Sequence, residues 1–235
     1  MTRRRWIADA VSGSRAALLG AQAEHLSRVL RARVGQEFDI AAEGRVRCGK
    51  IVSITPEKVE FELGQDLPAV ALPDITLVLA VFKFDRMEWA IEKATELGVA
   101  RLTPLIARRT DAHFASAAAK RVERWRRIAR EAAQQSRRVA PPEIAAPAQL
   151  KDVLKLVAER RIFLSESEDQ MSLKQAIAGC SGAIALAVGP EGGWSSEEDR
   201  AFREHGWAAA SLGPTILRAE TAAIAALAVV VSEVS

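Results

Sequence analysis

The sequence predicts an α/β protein in two parts, a small N-terminal β domain and a larger domain built on a parallel sheet. Up to about residue 66, short segments alternate apolar and polar residues and are interrupted by Gly44 and Pro56, which is typical of a small antiparallel sheet or barrel. From Asp74 onward, apolar segments of strand length alternate with segments of helical periodicity, which indicates strand–helix units. A chain of 235 residues with 49% hydrophobic residues is large enough to bury a proper core in one large or two small domains.

We expect the two domains to span residues 1–70 and 74–235, because a stretch with two prolines at 67–73 predicts a linker. The elements predicted for the first domain are a helix at 21–31 and strands at 38–41, 46–54 and 59–63.

The second domain begins with a continuous aliphatic run at 75–81, the pattern of a strand that is buried on both faces. Asp85 is expected to cap a helix that stops at Gly98, because apolar residues recur between them at helical spacing. Ser195 and Glu198 form a capping box that opens a later helix. The other predicted elements are strands at 101–106, 161–164, 183–188 and 208–212, a long basic helix at 116–136, and an apolar helix at 219–234.

Two loops rich in glycine and proline follow two of these strands. Residues 189–193 read GPEGG, and residues 212–222 read LGPTILRAETA. Open α/β sheets bind ligands at the carboxyl ends of their strands, and we expect these two strands to be neighbours. A single loop of this kind is more often an ordinary turn. The pair of loops, with Arg218 and Glu220 beside the second one, predicts the ligand site of an enzyme.

Basic residues are concentrated in two parts of the chain. The formal net charge is +5 in residues 1–50 and +8 in residues 101–138, whereas residues 51–100 and 139–235 each carry −5. This pattern favours a polyanionic partner, since neutralisation of phosphates by Lys and Arg dominates nucleic-acid binding. For either block taken alone, a solvated helical face is an equally good interpretation.

Nothing in the sequence predicts a membrane, disulfide or metal protein. The longest apolar run, residues 222–231, has only ten residues, too few to cross a bilayer. The N-terminal arginines are not followed by an apolar stretch of signal-peptide length. Cys48 and Cys180 are far apart, and the three histidines show no metal-ligand spacing. We therefore expect a cytoplasmic protein with reduced thiols.

Seven segments, in order along the chain, resemble the signatures of one family. They are HLSRVLR at 25–31, KFDRME at 83–88, EKATELGV at 92–99, RW at 124–125, EAAQQSRR at 131–138, GPEGG at 189–193 and LRAETA at 217–222. The family is RsmE, bacterial methyltransferases that modify N3 of a uridine in small-subunit ribosomal RNA, within the SPOUT superfamily. The resemblance covers nearly the whole chain. Two positions depart from it, Phe84 where glycine is usual and Trp194 where phenylalanine is commoner.

The resemblance implies a C-terminal SPOUT-type parallel sheet with helices on both faces and a trefoil knot, plus an N-terminal PUA-like β-barrel that binds RNA. A knot is a rare exception to the rule that protein chains do not thread loops. The resemblance also implies that S-adenosylmethionine binds in the knot and that two subunits form a homodimer through the knot and the final helix. The implied cofactor contacts are Leu164, Gly189, Pro190, Glu191, Gly192, Gly193, Leu212, Gly213, Ile216, Leu217 and Thr221.

Methylation at uridine N3 requires loss of the N3 proton, so the site must provide a base or positive charge together with in-line positioning. Glu220 is our candidate for proton handling or orientation, and Arg218 for stabilising negative charge on the uracil oxygens. An internal Arg218–Glu220 pair that only fixes the loop remains an alternative, and Glu191 is interpreted as organising its loop. The expected contacts with 16S ribosomal RNA, or with the small ribosomal subunit, are Arg3, Arg4, His25, Arg28, Arg31, Arg137 and Arg138.

Three other functions remain open at this point. A ribose 2′-O methyltransferase of the same superfamily would share the knot and the cofactor. A non-catalytic ribosome-assembly protein would keep the fold, although the presence of Arg218, Glu220 and the loop glycines argues against it. A phosphate-binding protein would use Gly192 and Gly193 ahead of a helix N-terminus.

Overall fold

The computed structural model describes residues 5–69 and 71–234, so the predicted RNA contacts Arg3 and Arg4 lie outside the described residues. The chain forms two compact units. One comprises the chain up to Ala71 together with Ala133–Pro141, and the other comprises Leu72–Ala132 and the chain from Pro142 onward. The assignment of Ala133–Pro141 to the first unit was not predicted. Its physical reason is burial, because Ala133 is fully buried in a small cluster with Ile7 and Val46.

The first unit is built on a curled, six-stranded mixed sheet. Its strands are β1 (Arg5–Ile7), β2 (Ala10–Ser12), β3 (Arg15–Leu19), β4 (Glu37–Ala42), β5 (Arg45–Ile54) and β6 (Lys58–Leu67), in the order β1-β4-β5-β6-β3-β2. Only the β1–β4 pair is parallel. The segment between β1 and β2 forms hydrogen bonds with strands near both edges of the sheet. The Ala8 N–H donates to Ala41 O on β4 and the Asp9 N–H to Ala17 O on β3, each at 2.9 Å.

The helix expected at 21–31 is shorter and less regular than predicted. A short α-helix, α1 (Gly20–Glu24), continues as a π-helical turn over His25–Val29. The hydroxyl of Ser27 donates to the carbonyl oxygen of Ala23 at 2.7 Å. Such local bonds from serine compete with regular helix bonding, which fits a change of pitch at this point.

The second unit contains a seven-stranded, all-parallel sheet, which confirms the predicted α/β class. Its strands are β7 (Ile75–Ala80), β8 (Arg101–Ile106), β9 (Glu143–Ile144), β10 (Ala148–Gln149), β11 (Arg160–Leu164), β12 (Ile184–Val188) and β13 (Ala208–Ala210). The order is β10-β8-β7-β12-β11-β13, with β9 also paired to β8. The expectation that the strands before the two glycine loops are neighbours is wrong, because β11 lies between β12 and β13. The strand order is set by pairing between residues far apart in the chain, so local sequence patterns do not predict it.

Helices cover both faces of this sheet. They are α2 (Phe84–Glu96), α3 (Ala112–Gln135), α4 (Leu150–Val153), α5 (Leu173–Ile177), α6 (Ser196–Glu204) and α7 (Ala219–Val234). Alternate residues of β7 enter different cores, as the two-residue period of a strand requires. Leu77 packs in a cluster with residues of α2, α3, α5 and α7, whereas Val78 packs in a cluster with residues of α4 and α6. Within the described ranges, no helix is long and apolar enough to span a membrane.

The ends of two helices test the capping predictions. The N-cap of α2 is Lys83, without a side-chain cap, so the prediction that Asp85 caps this helix is wrong. Asp85 instead lies in the first turn, where a negative charge favours the helix N-terminus. The predicted stop is confirmed by Gly98, which follows the helix with φ 94°. The predicted capping box of α6 is also confirmed, since the Ser195 side chain accepts from the Glu198 N–H.

Phe84, one of the two departures from the family pattern, is part of an aromatic cluster. Its ring centroid lies 5.2 Å from that of Phe114 and 6.1 Å from that of Trp125. The guanidinium of Arg121 lies over the same ring, 4.6 Å from its centroid. The large side chain therefore fills space between α2 and α3 and leaves the start of α2 intact.

Candidate cofactor site

A cavity of about 880 Å³ lies at the carboxyl ends of β11, β12 and β13. Its walls come mainly from the three loops that follow these strands, residues 165–167, 189–196 and 211–218. Two arginines from other parts of the unit, Arg86 and Arg109, also line the cavity. The volume falls in the range of small-molecule sites, roughly 300–1,000 Å³. The two glycine loops thus contribute to one site, although β11 separates the strands that precede them.

Most of the residues that the family resemblance implied as cofactor contacts line this cavity. They are Leu164, Gly189, Pro190, Glu191, Gly192, Gly193, Leu212, Gly213, Ile216 and Leu217. Ile216 is 80% exposed, so a large apolar side chain stands open to solvent at this site. Thr221 differs from the others, because it is exposed but does not belong to the lining.

Two of the loop glycines are required by their backbone conformation. Gly193 has φ 67° and Gly213 has φ 123°, values that side-chain-bearing residues rarely adopt. The N–H of Gly193 donates to the carbonyl oxygen of Pro190 at 2.8 Å, which closes a tight turn. These glycines therefore set the shape of the loops around the cavity.

Gly189 is required for a different reason, the packing of Trp194. A Cβ atom at Gly189 would lie 3.1 Å from Cε2 of Trp194. The indole N–H of Trp194 donates to the carbonyl oxygen of Leu164 at 2.8 Å, so this ring is anchored and cannot easily move. At Gly192, φ lies outside the left-handed region and an added Cβ would make only ordinary contact with Arg109, 3.5 Å from its Cδ.

A charged cluster lies beside the cavity. The Nη1 atom of Arg86 is 3.0 Å from Oε1 of Glu191 and 3.6 Å from Oε1 of Glu220. Glu220 is only 7% exposed and does not line the cavity. Its Oε2 atom has no hydrogen-bond partner among the residues that the structure describes. The structure thus pairs Glu220 with Arg86, not with Arg218, and leaves Arg218 exposed on the cavity wall.

Sequence reasoning missed several residues of the site. Arg86 belongs to the family segment at 83–88, but its contact with Glu191 was not predicted, because the two residues are 105 positions apart in the chain. Arg109 donates from Nη1 to the carbonyl oxygen of Gly192 at 2.6 Å. This hydrogen bond holds the first glycine loop from a residue that is distant in the sequence. Ser165 and Asp199 add polar groups to the lining. Within the two described stretches, no cluster of His, Cys, Asp or Glu could hold a metal ion.

Of the predicted RNA contacts in the first unit, Arg28, Arg31 and Arg137 are exposed. Arg28 forms an ion pair of 2.7 Å with Glu24 on the preceding turn. Because exposed ion pairs contribute little to stability, this pair leaves Arg28 able to exchange its partner for a phosphate.

Arg138 and His25 lie in different surroundings from those expected. Arg138 is only 9% exposed, and burial lowers its pKa to about 10. This burial argues against a contact between the Arg138 guanidinium and RNA phosphates, because little of its charge is presented at the surface. The ring of His25 packs 5.8 Å from that of Trp6, and its Nε2 atom is buried without a hydrogen-bond partner among the described residues. This setting favours the alternative of a structural histidine.

Part of the positive charge of residues 101–138 is compensated within the second unit. Arg124 donates to both carboxylate oxygens of Glu88, at 2.7 and 2.8 Å, and Arg121 lies 3.7 Å from the same carboxylate. Arg126 pairs with Glu123 at 2.6 Å. For these side chains the interpretation as a solvated, internally paired helix face is the better one.

Comparison with known proteins identifies the family. Residues 70–231 match the model of the RNA methyltransferase domain. The ribosomal RNA small subunit methyltransferase E of Aquifex aeolicus is 32% identical over 207 residues, which cover 87% of this chain and 89% of that protein. The chain belongs to the ribosomal RNA small subunit methyltransferase E family. The family member of Synechocystis is 34% identical over 223 residues, 90% of this chain and 71% of that protein.

Solved structures agree with this membership. The family member of Neisseria gonorrhoeae, bound to S-adenosylmethionine, matches with a TM-score of 0.85 and 29% identity over 97% of this chain and 96% of that one. A methyltransferase of Legionella pneumophila in complex with the same cofactor matches with a TM-score of 0.86 and 29% identity over 98% of this chain and 97% of that one. The relationship predicted from the residue pattern is confirmed.

Proposed function

We propose that this protein is an S-adenosylmethionine-dependent methyltransferase that methylates N3 of a uridine in 16S ribosomal RNA. The observation that carries the proposal is the cavity at the ends of β11, β12 and β13, formed by both glycine loops of a chain in this family. Relatives over most of its length are named ribosomal RNA small subunit methyltransferases, and two structural neighbours hold S-adenosylmethionine.

The residues at the cavity fit this cofactor. Apolar side chains suited to an adenine ring, such as Leu164 and Ile216, lie in the same lining as main-chain groups held open by Gly193 and Gly213. In this arrangement main-chain groups of Leu212, Ile216 and Leu217 bind the adenine, and residues 189–193 lie beside the ribose and the methionine portion. Recognition of this kind needs no acidic clamp on the ribose. We leave Thr221 out of the proposed contacts, since it does not line the cavity.

Bound S-adenosylmethionine supplies an electrophilic methyl group, and the chain must position the uracil and manage its N3 proton. Arg218 is exposed on the cavity wall, where a guanidinium can stabilise negative charge that develops on the uracil oxygens. Glu220 is buried against Arg86, so its carboxylate takes part in orientation or proton handling from beside the cavity. Both carbonyl oxygens of uracil flank N3, which makes a neighbouring cation effective for this base.

The finer architecture follows the family. The chain from 74 onward forms a SPOUT domain with a trefoil knot, and residues 1–70 form a PUA-like barrel with Ala133–Pro141 packed onto it. Support for a barrel comes from Ala8 and Asp9, whose N–H groups bond to strands on opposite sides of the curled sheet. Support for a homodimer comes from Trp89, 47% exposed on α2, the helix that packs beside the apolar α7. In this proposal Arg28, Arg31 and Arg137 bind RNA phosphates.

Two measurements on the purified protein test the function. Calorimetry with S-adenosylmethionine should give one cofactor bound per chain, and transfer of a labelled methyl group should occur to small-subunit ribosomal RNA. A phosphate-binding protein would fail the first measurement, and a non-catalytic assembly protein would fail the second. Arg218→Met should keep cofactor affinity and lose most of the transfer, because Arg218 acts on the base.

A further inference from the structure

Arg86 lies where the first glycine loop approaches the start of α7. We propose that it is a positioning residue for methyl transfer, which holds Glu220 and the loop of Glu191 in their working arrangement. The inference rests on the proposed function and extends it by a residue on α2, outside both glycine loops.

One nitrogen atom makes both contacts. Nη1 of Arg86 lies 3.0 Å from Glu191 and 3.6 Å from Glu220. Glu191 belongs to the loop after β12, whereas Glu220 is the second residue of α7, directly after the loop that follows β13. A single guanidinium from α2 therefore joins the two loops that form most of the cavity wall.

The backbone behind Arg86 is well fixed. The next residue of α2, Met87, is fully buried, and so is Ala90 one turn further on. These residues pack in the core that α2 shares with α7, which includes Ala223. Because α2 cannot shift without disturbing this core, its first turn is a firm base from which to hold a carboxylate.

The two ion pairs of Arg86 differ in how much each is expected to contribute. The side chain of Glu191 is 53% exposed, and an ion pair with so exposed a partner contributes little. The side chain of Glu220 is only 10% exposed, and its Oε2 atom has no partner in the described part of the chain. A buried carboxylate without a compensating cation is strongly unfavourable, so removal of Arg86 should displace the side chain of Glu220 from its position. The contact with Glu220 is the one through which Arg86 acts on the reaction.

The same helix offers a matched comparison. Lys93 also bridges two carboxylates, those of Glu92 and Glu96, each at 2.7 Å. Its side chain is 30% exposed, against 32% for Arg86. Hydrogen bonds to Glu92 and Glu96 raise the pKa of Lys93. Lys93 does not line the cavity, so it represents a cation bridge of α2 with a structural role alone.

The test measures methyl transfer to small-subunit ribosomal RNA by the full-length protein, with kcat and KM separated, and cofactor affinity by calorimetry. Arg86→Met should lower kcat by about tenfold or more, with KM for RNA changed less than about twofold, because Arg86 positions a group of the site and does not bind RNA. Arg86→Lys should recover most of kcat, since one nitrogen makes both contacts. Lys93→Met should leave kcat unchanged.

The pairing itself is tested by a double-mutant cycle with Glu220→Gln. If Arg86 acts through Glu220, Arg86→Met should have little further effect on kcat in the Glu220→Gln background. Equal factors in both backgrounds would overturn the inference, as would an unchanged kcat in Arg86→Met. Should Arg86→Met not fold, Arg86→Gln or Arg86→Ala, each combined with Glu220→Gln in the same cycle, gives the same decision. Absence of transfer by the wild-type protein would overturn the proposed function together with this inference.

Discussion

Gly193→Ala tests whether the shape of the first glycine loop is needed for cofactor binding. Gly193 has φ 67°, and an added Cβ would meet nothing within 4 Å. The substitution therefore introduces backbone strain and no steric clash. A non-glycine residue in the left-handed region costs roughly 1–2 kcal/mol.

The free loop can relieve this strain, because the turn itself is closed by the hydrogen bond from Gly193 to Pro190. The other contacts of the loop, at Glu191 and Gly192, are with the long side chains of Arg86 and Arg109, which can adjust with it. Cofactor binding requires the backbone conformation that the wild-type loop has, so the variant must adopt the strained conformation on binding. The cost of the strain then reduces the free energy of cofactor binding. A penalty of about 1–2 kcal/mol corresponds to a dissociation constant raised about 5- to 30-fold. The free energy of unfolding without cofactor should change by less than about 0.5 kcal/mol.

Gly179→Ala is the matched control for this experiment. Gly179 has φ 69°, an added Cβ there also meets nothing within 4 Å, and the residue follows α5 outside the cavity lining. Calorimetry should show the wild-type affinity for S-adenosylmethionine in Gly179→Ala and the weakened affinity only in Gly193→Ala. Equal affinities in the wild-type protein and in properly folded Gly193→Ala would refute the role assigned to this loop.

Other predictions concern the anchored tryptophan and the basic side chains. Trp194→Phe removes the hydrogen bond to Leu164 and should lower the free energy of unfolding by about 1 kcal/mol in urea titrations; an unchanged value would mean that the bond contributes nothing. Arg137→Glu should weaken binding of small-subunit ribosomal RNA, reduce the slope of log affinity against log salt by about one, and leave cofactor affinity unchanged. An identical salt slope would show that Arg137 is merely solvated. Arg138→Glu should instead lower the free energy of unfolding by about 3 kcal/mol or more, because it places a carboxylate in a buried site; a stable variant with impaired RNA binding would contradict this.

Patterns of apolar residues predicted the longer strands and helices of the second unit, because those elements carry their signal in consecutive residues. The strand at Arg101–Ile106 and the helix at Ala219–Val234 have the predicted bounds. The strands β1, β2 and β3 were not predicted, since they are only three to five residues long. In addition, β1 and β3 pair with residues far along the chain, in β4 and β6. The short helix α5 was also missed, although Ser172 and Gln175 form a capping box that could have revealed it.

The glycine loops were predicted from composition, but the charged side chains around them were not. Arg86 and Arg109 reach the cavity from α2 and from the loop after β8, and no local pattern indicates such contacts. Arg138 is the opposite case, because a basic pair in the sequence suggests a phosphate contact and the fold buries one of its members. The position of a charge along the chain is known from the sequence, whereas burial in the folded structure decides whether that charge is available to a partner.

Nucleoside analysis of small-subunit ribosomal RNA from a deletion strain tests methylation of uridine N3 most directly. We expect that one 3-methyluridine is lost from this RNA and returns when the wild-type gene is restored, but not with an Arg218→Met gene. Loss of a 2′-O-methylated nucleoside instead would assign the protein to ribose methylation. An unchanged set of modified nucleosides would contradict the account altogether.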